Sequence, residues 1–307
     1  MYDQMLIPLD GSETAEKVLP YARYLGSKLR LPIELLGVIV IESLASLIPA
    51  SKALELDNMV VEESRRMESY LEQIARTFHP LNARIAVEKG NPAEIIIDKA
   101  AVNQTNMIAM ATHGRSGLDR WLMGSIAEKV LRGTRNPVLL VRAKANDKCG
   151  GERSFRSVIV PLDGSEVAES VLPAITELAK KLKVGIVLVR AFHVPPAIYA
   201  GGEGYYAINY EAVRDQLKDE ARSYLERKVD ELRRQGIESV SFTTPEGLGA
   251  DEIIALGRKT GESLIAMSSH GRSGVKRWVL GSVAETVVRH SDEPVLVYRA
   301  EQGSFTA

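Results

Sequence analysis

The chain has 307 residues, of which 45% are hydrophobic and 26% are charged, as in a globular protein with two domains of about 150 residues each. The formal net charge of −1, without a long basic or acidic block, argues against a nucleic-acid-binding or anionic-membrane surface. Cys149 is the single cysteine, which excludes an intrachain disulfide and a cysteine metal cluster.

Short apolar runs alternate with longer segments of helical periodicity from the beginning of the chain. Runs at 5–9, 33–40, 83–87, 107–111 and 138–141 predict strands, and the spacing of apolar residues predicts helices at 15–29, 60–78, 93–101 and 124–132. A second series of strands is predicted at 158–162, 185–191, 240–244, 264–267 and 295–298. Pro20 and Pro173 lie inside the first helix of each series, where we expect a kink or an early end.

The two series are copies of one another, offset by 153 to 157 residues. PLDGSETAEKVLP at 8–20 returns as PLDGSEVAESVLP at 161–173, and HGRSGLDRWLMGS at 113–125 returns as HGRSGVKRWVLGS at 270–282. A period of this length indicates duplicated domains, which we place at 1–146 and 153–307, with the break in the polar stretch 144–154. Strand–helix alternation in each copy predicts an α/β fold, namely a doubly wound parallel sheet with helices on both faces.

No secretory signal is visible in MYDQMLIPLDGSE, and no run approaches the roughly 18 apolar residues of a membrane span, so we expect a cytoplasmic protein. The segments after the second strand of each copy, 42–58 and 193–210, are read as loops and differ in sequence. The second is rich in glycine, proline and tyrosine, which is equally consistent with a lid and with a plain surface loop. The two copies therefore need not bind alike.

Ligands of open α/β sheets bind beyond the carboxyl ends of the strands, and three features converge on that edge in both copies. An aspartate closes the first strand (Asp10 and Asp163), a glycine-containing loop follows the fourth strand (111–117 and 268–274), and Gly-Ser opens the next helix (124–125 and 281–282). Helix N-termini favour anions, since their first amides lack intrahelical acceptors. Arg115 and Arg272 add positive charge. The alternative is structural, because Asp-Gly-Ser is also an ordinary turn and cap, and Gly-Ser is a common helix start.

Histidine and tryptophan recur in the same loops. His113 and His270 have no second histidine or carboxylate at metal-ligand spacing, which favours a structural or ribose-side role over catalysis or metal binding. For Trp121 and Trp278, core packing or an interface lid is favoured over base stacking.

These motifs, once per half, resemble the universal stress protein family in a tandem form. The resemblance implies a five-stranded parallel sheet of order 3-2-1-4-5 and an ATP-binding pattern Gly-x2-Gly-x9-Gly-Ser/Thr. The last three positions of the pattern match in both copies, whereas the first glycine is replaced by Ala111 and Ser268. By the same resemblance, the strand-one aspartates meet the nucleoside, and Val38 and Ala191 offer their backbone to adenine. The nucleotide-binding residues so predicted are Pro8, Asp10, Val38, Ala111, His113, Gly114, Arg115, Gly124 and Ser125 in the first copy, and Pro161, Asp163, Ala191, Ser268, His270, Gly271, Arg272, Gly281 and Ser282 in the second.

The resemblance further implies a regulator that binds ATP, or AMP or ADP, together with magnesium, rather than a dedicated enzyme. Two alternatives stay open: a ligand-free interaction scaffold, and a slow ATP-hydrolysing enzyme of the adenine-nucleotide α-hydrolase group. No Walker lysine motif is present, and PLDGSE lacks the loop of those hydrolases. The apolar fifth strands predict pairing of the two halves as an intrachain pseudo-dimer, and dimerisation of chains is a weaker expectation.

Overall fold

The computed structural model describes residues 2–46, 53–112, 123–142, 153–194, 210–271 and 280–299. The chain forms two compact units whose main boundary lies between Ser154 and Phe155, with Leu296–Arg299 grouped with the first unit. The residues before and after this boundary are here called the first and second halves. The strands of the first half are β1 (Met5–Pro8), β2 (Ile33–Ile39), β3 (Ala83–Lys89), β4 (Met107–Ala111) and β5 (Val138–Val141). Those of the second half are β6 (Ser157–Pro161), β7 (Gly185–Val189), β8 (Val240–Thr243), β9 (Ser263–Ser268) and β10 (Val295–Tyr298).

Helices connect these strands in the same order in both halves. In the first half they are α1 (Glu13–Glu16), α2 (Leu19–Leu29), α3 (Ile41–Ala45), α4 (Ala53–Arg76), α5 (Pro92–Ala101) and α6 (Ser125–Gly133). In the second half they are α7 (Glu166–Glu169), α8 (Leu172–Leu182), α9 (Tyr210–Arg234), α10 (Gly249–Thr260) and α11 (Ser282–His290).

The strands of each half follow the order that the family resemblance implies. The first half has the order β3-β2-β1-β4-β5 with parallel pairing throughout. The second has the order β8-β7-β6-β9-β10, and its β6–β7, β6–β9 and β7–β8 pairs are parallel. The doubly wound α/β fold with order 3-2-1-4-5 is therefore confirmed. The order reverses direction beside β1 and β6, and this is where such folds place a ligand.

The core of each half lies between the sheet and its two helical layers. Every residue of β4 and β9 is buried, as expected for strands covered on both faces. In the first half, α4 packs on β2 and β3, while α5 packs beside α6. Right-handed crossovers put these two groups of helices on opposite faces of the sheet. Among the described residues, no helix combines the length and apolarity needed to cross a membrane.

Proline acts on the first helix as its position predicts. The helical segment of the first half is broken into α1, which ends at Glu16, and α2, which begins at Leu19 with Pro20 in its first turn. The same break separates α7 from α8. Proline is accepted there because the first-turn amides have no intrahelical acceptor anyway.

The reading of 42–58 as a loop is wrong at both of its ends. Helix α3 covers 41–45, and α4 already begins at Ala53, seven residues before the predicted periodicity. In the first turns of α4, Glu55, Asp57 and Asn58 are exposed and Leu56 is half-buried, and full burial begins at Val60. Of the corresponding segment in the second half, only 193, 194 and 210 are described, and the rest of that prediction lies outside the described residues.

The N-caps of α5 and α10 differ in a way that predicts a stability change. Asn91 caps α5 by accepting a hydrogen bond from the amide of Ala93 (3.1 Å), whereas Leu248 occupies the same position on α10 without a side-chain cap and is 62% exposed. Leu248→Asn is expected to stabilise the protein by about 0.5–1 kcal/mol, since asparagine satisfies a free helix amide. Asn91→Leu is expected to cost about the same. Urea unfolding of both variants checks this, and shifts of the same sign would contradict it.

Candidate functional site

An aspartate turn lies at the carboxyl edge of the sheet in each half. Oδ1 of Asp10 accepts hydrogen bonds from the amide (3.0 Å) and the hydroxyl (2.6 Å) of Ser12, and Ser12 in turn caps α1. Asp163 and Ser165 repeat this arrangement at 2.9 and 2.6 Å. The intervening glycines have φ of 80° and 86°, a conformation that side chains disfavour. Asp-Gly-Ser therefore forms a turn and a helix cap, and the same turn fixes each carboxylate at the edge of the sheet.

A cavity of about 390 Å³ opens at this edge in the first half. Six predicted binding residues line it, each from the end of a strand or the beginning of a helix: Pro8, Asp10, Val38, Ala111, Gly124 and Ser125. The walls are mostly apolar, and the charged residues among the described lining are Asp10 and Glu63. An apolar cleft with a few converging polar groups is the usual form of a small-molecule site.

The floor of this cavity is the N-terminus of α6. The amide of Gly124 donates to the carbonyl of Thr112 (2.7 Å), which closes the loop, and no side chain caps the helix. The next three residues, Ser125, Ile126 and Ala127, also line the cavity, and as first-turn residues their amides have no intrahelical acceptor. With the dipole of a nine-residue helix behind them, these amides suit an anionic group.

The edge of the second half is built from the same elements. Gly281 caps α11, and its amide donates to the carbonyl of Ser269 (2.9 Å). Gly271 lies so close to Asp163 that a Cβ on the glycine would be 2.3 Å from Oδ2 of the aspartate. The structure therefore brings the strand-one aspartate, the loop glycine and the helix start together, as the motif spacing predicts.

The two positions that replace the first pattern glycine end their strands. Ala111 is the last residue of β4, and Ser268 is the last residue of β9; both are buried. The hydroxyl of Ser268 accepts from the amide of His270 at 3.3 Å. The extra side-chain oxygen is thus engaged by the loop's own backbone.

The remaining predicted residues have separate placements. Pro161 ends β6, Ala191 lies two residues after β7, and Ser282 is the first residue of α11. Nδ1 of His270 is 2.9 Å from the hydroxyl of Ser269. The following lie outside the described residues: His113, Gly114, Arg115, Trp121, Cys149, Arg272 and Trp278.

Several lining residues were missed by the motif analysis. Ile126 and Ala127 follow the Gly-Ser pair directly, so the helix start itself was a sufficient signal for them. Six more come from α3, α4 and α5, far from any motif: Ser43, Leu44, Glu63, Met67, Pro92 and Ile96. No group of three or more histidine, cysteine, aspartate and glutamate residues in the described ranges is arranged to hold a metal ion.

Gly271→Ala is expected to weaken binding at the second half by about tenfold. The new methyl would stand 2.3 Å from Asp163 Oδ2, so the carboxylate must leave the position that its turn fixes. Calorimetric titration with ATP, with the first half blocked by Gly124→Val, measures the effect. The matched control is Gly257→Ala, whose Cβ would make ordinary contacts with the side chains of Ile265 and Glu293, at 3.4 Å. Unchanged affinity in Gly271→Ala would show that the aspartate does not contact the ligand.

Comparison with known proteins covers both halves. The universal stress protein family model matches residues 1–142 and again 154–299. Universal stress protein MJ0531 of Methanocaldococcus jannaschii is 29% identical over 149 residues, which are 48% of this chain and 85% of that protein. Universal stress protein Mb2028c of Mycobacterium bovis is 25% identical over 197 residues, which are 64% of this chain and 63% of that protein.

A solved structure supports the fold over nearly the whole chain. The crystal structure of a universal stress protein from Archaeoglobus fulgidus covers 97% of this chain and 98% of its own, with a TM-score of 0.68 and 23% identity. At 23% identity, this similarity supports the fold and carries no conclusion about function.

Proposed function

Because the chain belongs to the universal stress protein family, we propose that each of its halves binds an adenine nucleotide at the carboxyl edge of its sheet, and that the protein acts as a stress-response regulator. Its output would be a change of conformation or association on binding, not a metabolic product.

The observation that carries this proposal is the cavity of the first half. It joins a fixed carboxylate, the end of β2 and the uncapped N-terminus of α6 in one volume of about 390 Å³. A nucleotide requires these three elements together: an acceptor for ribose or base donors, a backbone edge for the base, and amides for phosphate.

We assign roles in the first half accordingly. Asp10 accepts from the nucleoside, the backbone at Val38 meets the base, and Gly124 and Ser125 hold phosphate at the start of α6. The motif repeat assigns Asp163, Ala191, Gly281 and Ser282 to the same roles in the second half. The predictions for His113, Gly114, Arg115 and Arg272 stand on the resemblance alone.

A magnesium ion would arrive with the nucleotide. The described residues offer no cluster of carboxylates that could hold the ion unaided, and Mg²⁺ is commonly bound through substrate phosphates and water. The hydroxyl of Ser125, next to the proposed phosphate position, is a ligand or second-layer contact of suitable chemistry. Such an ion would screen phosphate charge.

We further propose that hydrolysis is slow, so that occupancy reports nucleotide level. Oδ1 of Asp10 is engaged by Ser12 on two hydrogen bonds, which favours positioning over proton transfer by this carboxylate. Release of many phosphates per minute by the purified protein would instead favour the alternative of an ATP-hydrolysing enzyme.

Native mass spectrometry tests the central proposal. With ATP in excess, the chain is expected to carry two nucleotides, and calorimetry is expected to give the same stoichiometry. A chain that stays free of nucleotide at millimolar ATP, and that is not stabilised against unfolding by it, would support the scaffold reading instead. Dimerisation of chains stays a prediction, which a monodisperse monomer in sedimentation at micromolar concentration would contradict.

A further inference from the structure

One wall of the cavity in the first half is a methionine lying over a glycine. A Cβ on Gly37 of β2 would be 2.4 Å from Cγ and 2.7 Å from Sδ of Met67, so the methionine side chain occupies that position. Met67 is 5% exposed and lines the cavity. This wall is therefore uncharged, and it exists only because residue 37 has no side chain.

The same strand position in the second half holds an arginine. Ile33 and Ile186 each pair with the residue three positions before the proline of the PLDGS motif, which gives β2 and β7 the same register. Four residues further along each chain stand Gly37 and Arg190. The glycine of the first half is thus replaced by the longest basic side chain.

The facing helices show the reciprocal exchange. Tyr70 of α4 and Tyr224 of α9 make the same hydrogen bond, from the hydroxyl to the glutamate that ends α1 or α7, at 3.0 and 2.7 Å. Three residues before these tyrosines stand Met67 and Ala221. The positions of Gly37 and Met67 in the first half are thus held by Arg190 and Ala221 in the second, so the larger side chain moves from the helix to the strand.

Arg190 lies partly buried at the edge of the second sheet. Its guanidinium carbon is 4.8 Å from the ring centroid of Tyr224, and Nη2 is 2.8 Å from Oε1 of Glu220. The arginine side chain is 12% exposed and that of Glu220 is 62% exposed. Burial and the hydrogen bond to Glu169 raise the pKa of Tyr224, and the positive charge of Arg190 opposes this rise.

The ion pair with Glu220 leaves the guanidinium able to serve a ligand. An exposed carboxylate is well solvated, so its pairing contributes little and is readily exchanged. A guanidinium has five N–H donors in a planar fork and no acceptor. A cation of this kind favours ligand groups that accept hydrogen bonds or carry negative charge, whereas the thioether of Met67 favours neither.

Two positions near Arg190 have smaller side chains than their counterparts in the first half, which leaves room for a ligand group that accepts hydrogen bonds or carries negative charge. Val38, which lines the first cavity, corresponds to Ala191 by the register of β2 and β7. Pro92, which opens α5 and also lines the cavity, corresponds to Gly249, which opens α10. Both exchanges reduce side-chain volume on the second half.

We propose that Arg190 determines the ligand preference of the second half, which selects nucleotides presenting an electronegative acceptor on the β7 side of the site. The first half, where Met67 lines the cavity instead of an arginine, lacks this preference. The inference rests on the proposed nucleotide function. Two sources supply the acceptor: a keto oxygen on the purine, or an additional phosphate on the ribose.

Three matched probes separate these sources: AMP, IMP and adenosine 3′,5′-bisphosphate. IMP has a keto oxygen in place of the amino group of AMP and a hydrogen on the adjacent ring nitrogen, and the bisphosphate adds only a phosphate. With the first half blocked by Gly124→Val, calorimetry is expected to show IMP or the bisphosphate binding about tenfold more tightly than AMP, as for a hydrogen bond to a charged group. When the second half is blocked by Gly281→Val, the first half is expected to bind neither IMP nor the bisphosphate more tightly than AMP.

Arg190→Met, which keeps an unbranched apolar stem without the charged guanidinium, is expected to abolish the preference while AMP still binds. The double variant Arg190→Gly, Ala221→Met is also expected to lose the preference. The reverse double variant, Gly37→Arg with Met67→Ala, is expected to transfer the preference to the first half. Equal affinities for the three probes, or a preference that survives Arg190→Met, would overturn the inference and leave the nucleotide function standing. Absence of AMP binding in both halves would overturn both.

Discussion

Gly124→Val is expected to remove one of two bound nucleotides, and Gly281→Val is expected to remove the other. The backbone at both glycines is in a region open to any residue, with φ of −58° and −63° and ψ near 143° and 144°. Their absence of a side chain is therefore required for space and not for conformation. A Cβ on Gly281 would already stand 3.2 Å from the carbonyl oxygen of Ser269.

The branched side chain of valine would lie in front of the first amides of α6 or α11, where the phosphate is proposed to bind. Losing two charge-assisted hydrogen bonds costs about 3 kcal/mol, which is roughly a hundredfold in affinity. Native mass spectrometry with ATP measures the number bound, and each variant is the control for the other half. Gly124→Ala and Gly281→Ala are expected to have smaller effects. Two nucleotides bound to both valine variants would refute the assignment of phosphate to these helix starts.

The strands and the position of the site were predictable because both depend on local patterns that the chain repeats, whereas the strand order was implied by the family resemblance alone. Buried parallel strands appear as short apolar runs, and the runs at 107–111, 138–141 and 295–298 agree with β4, β5 and β10 residue for residue. The edge residues follow from chain direction, since every parallel strand ends on the same side. Asp10, Gly124 and Ser125 therefore fall in one cavity although more than a hundred residues separate them.

The lateral walls of the site were not predictable in this way. Met67 belongs to the apolar stripe of a long helix, and nothing in that stripe distinguishes a residue facing a cavity from one facing the core. Its position depends on Gly37, which reads in sequence as one small residue within a strand. The exchange with Arg190 and Ala221 becomes visible only when strand register and helix contacts are known together.

Asn136→Leu is expected to destabilise the first half by about 3 kcal/mol. The side-chain amide of Asn136, which is 2% exposed, donates to three backbone carbonyls, those of Ala100 (3.0 Å), Asn103 (2.8 Å) and Asn106 (2.9 Å). These carbonyls belong to the end of α5 and the turn that leads into β4. Leucine has nearly the same shape but no donor, so three hydrogen bonds worth roughly 1 kcal/mol each are lost. The carbonyls of Ala100 and Asn103 keep their backbone donors, the amides of Asn103 (3.3 Å) and Asn106 (3.0 Å).

The amide of Asn136 thus fixes the turn before β4 to the segment that leads into β5, and β4 ends at the site. Urea unfolding followed by far-ultraviolet circular dichroism measures the loss, with exposed Asn82→Ala as the matched control expected within about 0.5 kcal/mol of the wild type. Because the donor lies at the opposite end of β4 from Ala111, nucleotide stoichiometry is expected to remain two in the folded variant. A loss below about 1 kcal/mol would mean that water or local rearrangement satisfies the three carbonyls, and that Asn136 is dispensable to the packing of α5 on the sheet.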